Sequence, residues 1–352
     1  MDTKFVAVGA LSIWSVAAGL IYAQQGQVRP AQERTAREVT VTAIPDVIDA
    51  DAKWGLVWQG TDNADGIVGT KDGGLLFAQE QPSTVRKLDK NDKDSVYVEN
   101  THGAGALAID DKGRVLAVER TCTDPGSGGA ACSEPTAIAV IYPEEARRTI
   151  IDNFEGKSLG RLNDLVVDKD DTIYFTSGTA YYVTTRAKRN KLKLVKGKEE
   201  IQINSLGPDL RTNGIMLSPD ERILYVTNGQ TIMQFDIQLN GYVNNRRLFA
   251  KLQDDSNGDG MAIDEAGRLY VTAGPGVQVF SPQGNYLGTI PTPRNVISAA
   301  FSGKEKRTLY VVGSGALGPD GKEVTTPEGV RNNAKTIYKI QMVAAGFKGR
   351  AK

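Results

Sequence analysis

Apolar positions along this chain come in paired short runs. Six times an apolar run leads into a turn rich in Asp, Gly and Lys, and a second apolar run follows. The second runs centre on Leu76, Leu116, Tyr174, Tyr225, Tyr270 and Tyr310, spaced by 40, 58, 51, 45 and 40 residues. Runs this short, each closed by turn residues, predict β-strands, and 3.6-residue periodicity is nearly absent. Self-similarity at roughly 40 to 50 residues predicts an all-β, six-bladed β-propeller with a central site, each copy supplying one blade.

A second regularity has the same phase. Counting back 11 residues from Leu76, Tyr174 and Tyr270 gives Asp65, Asn163 and Asp259. Asn213 lies 12 before Tyr225, where the turn Ser218-Pro219-Asp220-Glu221 reads as one residue longer. Singly, Asp65-Gly66, Asn213-Gly214 and Asp259-Gly260 are ordinary turn dipeptides. As a set they precede the same strand at the same offset, whereas the turns after that strand use Asp72-Gly73, Asp170-Asp171, Pro219-Asp220 and Ala266-Gly267. Equivalent positions of different blades converge on the central channel. The pattern therefore predicts two carboxylates and two amides at one axial point. Gly105 in the second copy, and Ser298 or Ala299 in the sixth, would leave room beside them.

Two carboxylates balance a dication, and two amides add neutral oxygens, the ligand chemistry of Ca2+. Mg2+, Mn2+ and Zn2+ stay open on ligand type. Four protein ligands leave positions for water and a substrate oxygen, so the ion could act as a Lewis acid. The rest of the composition narrows the alternatives. The 352 residues include one histidine, His102, and two cysteines, Cys122 and Cys132, which removes most zinc, haem, iron–sulfur and Ser-His-Asp readings. Lys plus Arg and Asp plus Glu are 42 each, so no charge excess argues for nucleic acid.

Three regions organise the chain: 1–23, 24–50 and 51–345. In the first, Lys4 precedes the apolar run Phe5 to Tyr22, and Ala23 is a cleavage position before Gln24. This reads as a secretory signal, with a retained anchor as the alternative. The expected location is periplasmic or secreted, with no stable membrane association once the segment is removed. That setting permits a Cys122–Cys132 disulfide. The second region is a polar lead-in whose alternating Val39-Thr40-Val41-Thr42 could complete the last blade and close the ring. The third region is the propeller. It carries polar loops at 123–136 and 314–335 and a basic stretch, Arg186 to Lys193, read as a solvated outer strand or hairpin.

The stretches Arg161-Leu162-Asn163-Asp164-Leu165-Val166-Val167-Asp168, Asn213-Gly214-Ile215-Met216-Leu217-Ser218-Pro219-Asp220 and Asp259-Gly260-Met261-Ala262-Ile263-Asp264 resemble the senescence-marker-protein/gluconolactonase/luciferin-regenerating-enzyme family. So does the run from Gly276 to Pro293. The resemblance covers about Asp65 to Val312. It implies a six-bladed propeller with divalent-metal ligands at Asn163, Asn213 and Asp259, a general-base role at Asp259, and a substrate contact at Arg161. The family's first ligand is a Glu in Glu-Gly-Pro, where this chain has Asp65-Gly66-Ile67. Trp54-Gly55-Leu56-Val57-Trp58 offers no acid in its place. Gly160-Arg161-Leu162-Asn163-Asp164 keeps only the last two residues of the bacterial Asn-Ser-Pro-Asn-Asp signature, and Ser177 stands where an acid is usual.

The leading expectation is thus a metal-dependent lactonase acting on a small-molecule lactone, with Asp259, Arg161 and Asp164 as candidate catalytic residues. Asp164 is the alternative base. His102 and Glu119 fall near the mouth, with His102 read as a loop residue, and Tyr181 and Tyr182 fall near the rim. A phosphotriesterase-like hydrolase using the same ligands, and a non-catalytic binding propeller with a structural metal, are the competing readings.

Overall fold

The computed structural model describes residues 36–120, 135–177, 180–185, 201–206, 210–238, 243–326, 332–350 and 352. These lie in one compact unit, Arg34–Lys352. The signal segment, Cys122 and Cys132, and the basic stretch fall outside the described residues. So do the side chains of Tyr181 and Tyr182.

The chain is an all-β propeller whose strands form six four-stranded antiparallel sheets. Five have described side chains throughout; in the third, Ala180–Thr185 and Ile201–Ser205 are described by backbone alone. The innermost strands are Ile67–Gly69, Ala104–Ile109, Leu165–Val167, Thr212–Leu217, Met261–Ile263 and Val296–Ser302. Each packs against the next, and the last against the first, so the six ring a central axis. The only helical turns among the described residues are Glu144–Ala146 and Lys304–Lys306.

Burial explains the continuous apolar runs. The second strands Leu75–Gln79, Val115–Glu119 and Leu269–Ala273 are buried at every position, because each is covered on both faces by neighbouring sheets. Outer strands are more open to solvent, as in Val243–Lys251, where five of nine positions are exposed. In the second to fifth sheets the turn after the inner strand is stapled by its first side chain, Asp110, Asp168, Ser218 or Asp264. Asp168 Oδ1 accepts from the backbone N–H of Asp170 and Thr172, and Asp110 Oδ1 from Lys112 and Arg114. The longer turn in the fourth sheet is present. Ser218 N–H bonds the carbonyl five residues on, at Ile223, where Asp168, Asp110 and Asp264 bond the carbonyl four residues on.

Ring closure differs from expectation. The strand that pairs with Ala334–Gln341 is Gly55–Gln59, and Val39–Thr42 forms no strand. Val41 is instead buried in an apolar cluster with Val47, Ile48, Ile290 and Met342. Gly55–Gln59 carries Trp58, whose ring lies 4.8 Å from that of Phe77 in the first sheet. That contact ties the closing strand across the seam.

The last residues run beneath the channel. Phe347 N–H bonds the Ile263 carbonyl, Arg350 donates to the Leu217 carbonyl at 2.7 Å, and the Lys352 ammonium reaches Asp164 and the Leu165 carbonyl. This strap therefore touches three inner strands, at the ends of two of them remote from the predicted ligands.

Candidate functional site

Three of the four in-phase residues share one backbone hydrogen-bond register. Asp65, Asn163 and Asp259 each donate their backbone N–H to the second strand of their own sheet, at Ala78, Thr176 and Thr272. Asn213 lies at a pairing irregularity between Thr212 and Ile215, and the longer turn at Ser218 accounts for its one-residue offset. The Asn213 side chain hydrogen-bonds Asp259.

The glycine after three of these residues has a reason other than a turn. Gly66, Gly214 and Gly260 all have ordinary negative backbone angles. They stand where adjacent inner strands converge: Gly66 N–H meets the Gly105 carbonyl at 2.8 Å, and Gly260 N–H meets that of Ile297 at 2.8 Å. A Cβ on Gly214 would lie 2.2 Å from the Asp259 carbonyl oxygen. These glycines thus let adjacent inner strands approach closely at the axis, and at Gly214 the strands are those of Asn213 and Asp259.

A residue the sequence reading passed over occupies the middle of this set. Arg120, 4% exposed, follows the second strand of the second sheet. It donates to the Leu162 carbonyl at 2.7 Å, to the Asn163 carbonyl, and to Asp65 Oδ2 at 2.5 Å; Glu80, equally buried, lies 3.5 Å away. Gly105 does not leave open room as expected. A Cβ there would fall 2.2 Å from Arg120 Cζ, so the missing side chain admits the guanidinium. The signal available in the sequence was Glu119-Arg120 ending an apolar strand opposite Gly105.

Electrostatics follow from this crowding. Burial first, then the carboxylates of Asp65 and Asp164, push the Asp259 carboxyl up to about 8. Burial also raises Asp65, against the pull of Arg120 and Arg161. For Arg120, burial works downward but Asp65 and Glu80 outweigh it, and the guanidinium holds its proton more tightly than usual. Asp164 is buried and engaged on both oxygens. Oδ1 meets Leu165 N–H and the Lys352 ammonium, and Oδ2 meets Ile215 N–H at 3.1 Å in the next sheet. Arg161, partly exposed, stands within electrostatic reach of Asp65.

Other predicted residues lie to the side. His102 has a left-handed backbone (φ 49°), is half-exposed, and holds Nδ1 3.9 Å from the Glu119 carboxylate. Ser177 donates its hydroxyl to the Leu159 carbonyl. Away from the axis, Asp110, Asp111 and Asp171 bring carboxylate oxygens within 4.8 Å of one another, beside Lys112 and Arg114.

The axial donor set fits a hard dication. It offers carboxylate and amide oxygens from the starts of four inner strands, with the Asp259 carboxyl held above its normal range first by desolvation and then by the carboxylates of Asp65 and Asp164. Asp65, Asn163, Asn213 and Asp259 are the residues that would hold it.

A model described as the SMP-30/Gluconolactonase/LRE-like region matches residues 63–315. A gluconolactonase of Zymomonas mobilis is 26% identical over 320 residues, spanning 82% of this chain and 84% of its own length. Among solved structures, a gluconolactonase from Xanthomonas campestris superposes with a TM-score of 0.66 at 20% identity, covering 90% of this chain and 99% of that one. A calcium-binding protein, regucalcin, from Agrobacterium tumefaciens gives a TM-score of 0.55 at 13% identity, with coverage of 84% and 98%.

Proposed function

The chain belongs to the SMP-30/gluconolactonase/LRE-like family, and from that premise we propose that it is a metal-dependent lactonase opening a sugar lactone or a related cyclic ester. The observation that carries this reading is the meeting of groups at Asp259: its partly exposed carboxyl, pushed up to about 8, bonds the Asn213 side chain and lies within electrostatic reach of Asp65 and Asp164.

A bound dication, with Ca2+ the first candidate, would polarise the lactone carbonyl as a Lewis acid. The chain's own groups supply the rest. Arg161, beside Asp65 at the site, orients substrate hydroxyls. Asp259 takes a proton from the attacking water as its oxygen bonds to the carbonyl carbon. The ring C–O bond then breaks, and the leaving oxygen is protonated to give the hydroxy acid. Asp164 is assigned a positioning role rather than that of base, since its oxygens are committed to Leu165, Ile215 and Lys352. Arg120 fixes Asp65 and the Asn163 backbone in register.

Export to the periplasm or beyond is part of the same proposal and rests on Lys4 and the apolar run after it. The test is Asp259→Asn in the mature chain, assayed by calorimetry for Ca2+ and by pH-stat hydrolysis of sugar lactones. The expected result is loss of turnover, by more than about a thousandfold, with an unchanged circular dichroism spectrum. Wild-type Ca2+ binding without turnover on any lactone would favour the phosphotriesterase or binding readings. Absence of Ca2+ binding would overturn the metal assignment.

A further inference from the structure

Lys352 lies far in sequence from every residue of the axial site, yet its ammonium enters the channel. Its side chain is 6% exposed, and its ammonium donates to the Asp164 carboxylate and to the Leu165 carbonyl, the latter at 3.1 Å. It is delivered there by the strap. Lys306 donates to the carbonyls of Phe347 and Arg350 at 2.8 and 2.6 Å, and Arg350 donates to Leu217 O and pairs with Glu221 at 3.2 Å. Arg350 Nε also bonds the Lys352 carbonyl at 2.9 Å.

With a cation bound and Asp259 ionised, the charges around the axis would be four carboxylates, Asp65, Glu80, Asp164 and Asp259, against two buried cations, Arg120 and Lys352. The excess is two negative charges, which one dication neutralises. Arg161 is partly exposed, so its charge is screened by water. Arg120 is bonded to ligand-bearing segments and cannot be altered without moving them. Lys352 touches only Asp164 and one carbonyl among these groups, so its charge can be removed while the four proposed ligands stay in place.

We infer that Lys352 is a metal-specificity residue: its ammonium, placed beneath the site by the strap, holds the excess negative charge at the value suited to one divalent ion and disfavours trivalent ions. The inference rests on the proposed metal site and deepens it. Removing this charge strengthens binding of every cation, and more so for the higher valence. The difference between a trivalent and a divalent ion is one unit charge acting over roughly 10 Å in a protein-like dielectric, a change of about tenfold.

The experiment is calorimetric titration of the metal-stripped protein with Ca2+ and, separately, with Tb3+. Four proteins are compared: wild type, Lys352→Met, Lys352→Arg, and Asp164→Asn combined with Lys352→Met. The expected result is a Tb3+/Ca2+ affinity ratio about tenfold higher in Lys352→Met. The ratio stays within twofold of wild type in Lys352→Arg, and returns towards wild type in the double variant, which loses one charge of each sign. An unchanged ratio in Lys352→Met would overturn the inference while leaving the metal site standing. Equal shifts in Lys352→Met and Lys352→Arg would also overturn it, because packing rather than charge would then be at work. Wild type binding neither ion would overturn the metal reading and this inference together. If Lys352→Met fails to fold, the double variant against wild type still decides: a ratio altered more than about fivefold at equal net charge refutes the charge argument.

Discussion

Replacing Arg120 with Leu tests whether the axial site is held by one buried guanidinium. The side chain is buried, and its loss strands three kinds of partner: the Leu162 and Asn163 carbonyls and the Asp65 carboxylate. A buried acceptor left without its donor costs about 1–3 kcal/mol. Removing one partner of a buried ion pair costs about 3–5 kcal/mol. These overlap, because the Asp65 bond is also the ion pair, and relaxation lets water reach part of the gap. A net destabilisation of about 3–5 kcal/mol is expected for the metal-free protein. Urea unfolding followed by tryptophan fluorescence measures it. The same geometry predicts coupling to Gly105, since a Cβ there would sit 2.2 Å from Arg120 Cζ. Gly105→Ala should cost about 2–4 kcal/mol in the wild type, as an overpacked buried site. In the Arg120→Leu background the cost should be smaller by at least about 1 kcal/mol, because the flexible Leu can give way. A loss below about 1 kcal/mol for Arg120→Leu, or strict additivity with Gly105→Ala, would refute the claim that the guanidinium organises the site.

Two further outcomes follow from the same geometry. Burial and neighbouring carboxylates hold Asp259 at about 8 in the folded metal-free protein, against about 4 for an ordinary aspartate, so the native state binds the extra proton between those values. Stability from this group is fully present below the unfolded value and is lost as pH rises through about 8. Urea midpoints of the metal-free protein should therefore fall as pH rises from about 4 to about 8. Ca2+ affinity should fall up to tenfold per unit as pH drops below about 8, and flat profiles of both quantities would contradict the assignment. Gly214→Ala would place a methyl 2.2 Å from the Asp259 carbonyl, so a loss of about 2–4 kcal/mol is expected, with weaker Ca2+ binding as Asn213 and Asp259 are forced apart. Wild-type stability in that variant would mean that the two strands are not locked at this point.

The sequence by itself determined the repeat and its phase. The paired apolar runs are strands because the second of each pair is buried on both faces, and burial on both faces demands apolar side chains without interruption. A period-two backbone also fixes which residues share a level, so Asp65, Asn163 and Asp259 could be aligned by counting. The one-residue offset at Asn213 could be assigned to a longer turn on the same ground. Each of these facts is local in the chain.

Three features were settled only by the tertiary structure. Gly55–Gln59 rather than Val39–Thr42 closes the ring, because pairing depends on which segment reaches the free edge of Ala334–Gln341, and both segments contain β-formers. Arg120 fills the space over Gly105: a small residue at a repeat position announces room, while its occupant comes from the neighbouring strand. Lys352 reaches Asp164, 188 positions earlier in the sequence. No periodicity places a charge at the end of a strap, since its position is set by how far the last residues travel beneath the ring. Local pattern thus sets strands and levels, whereas the charge balance at the axis is a sum over segments that only folding brings together.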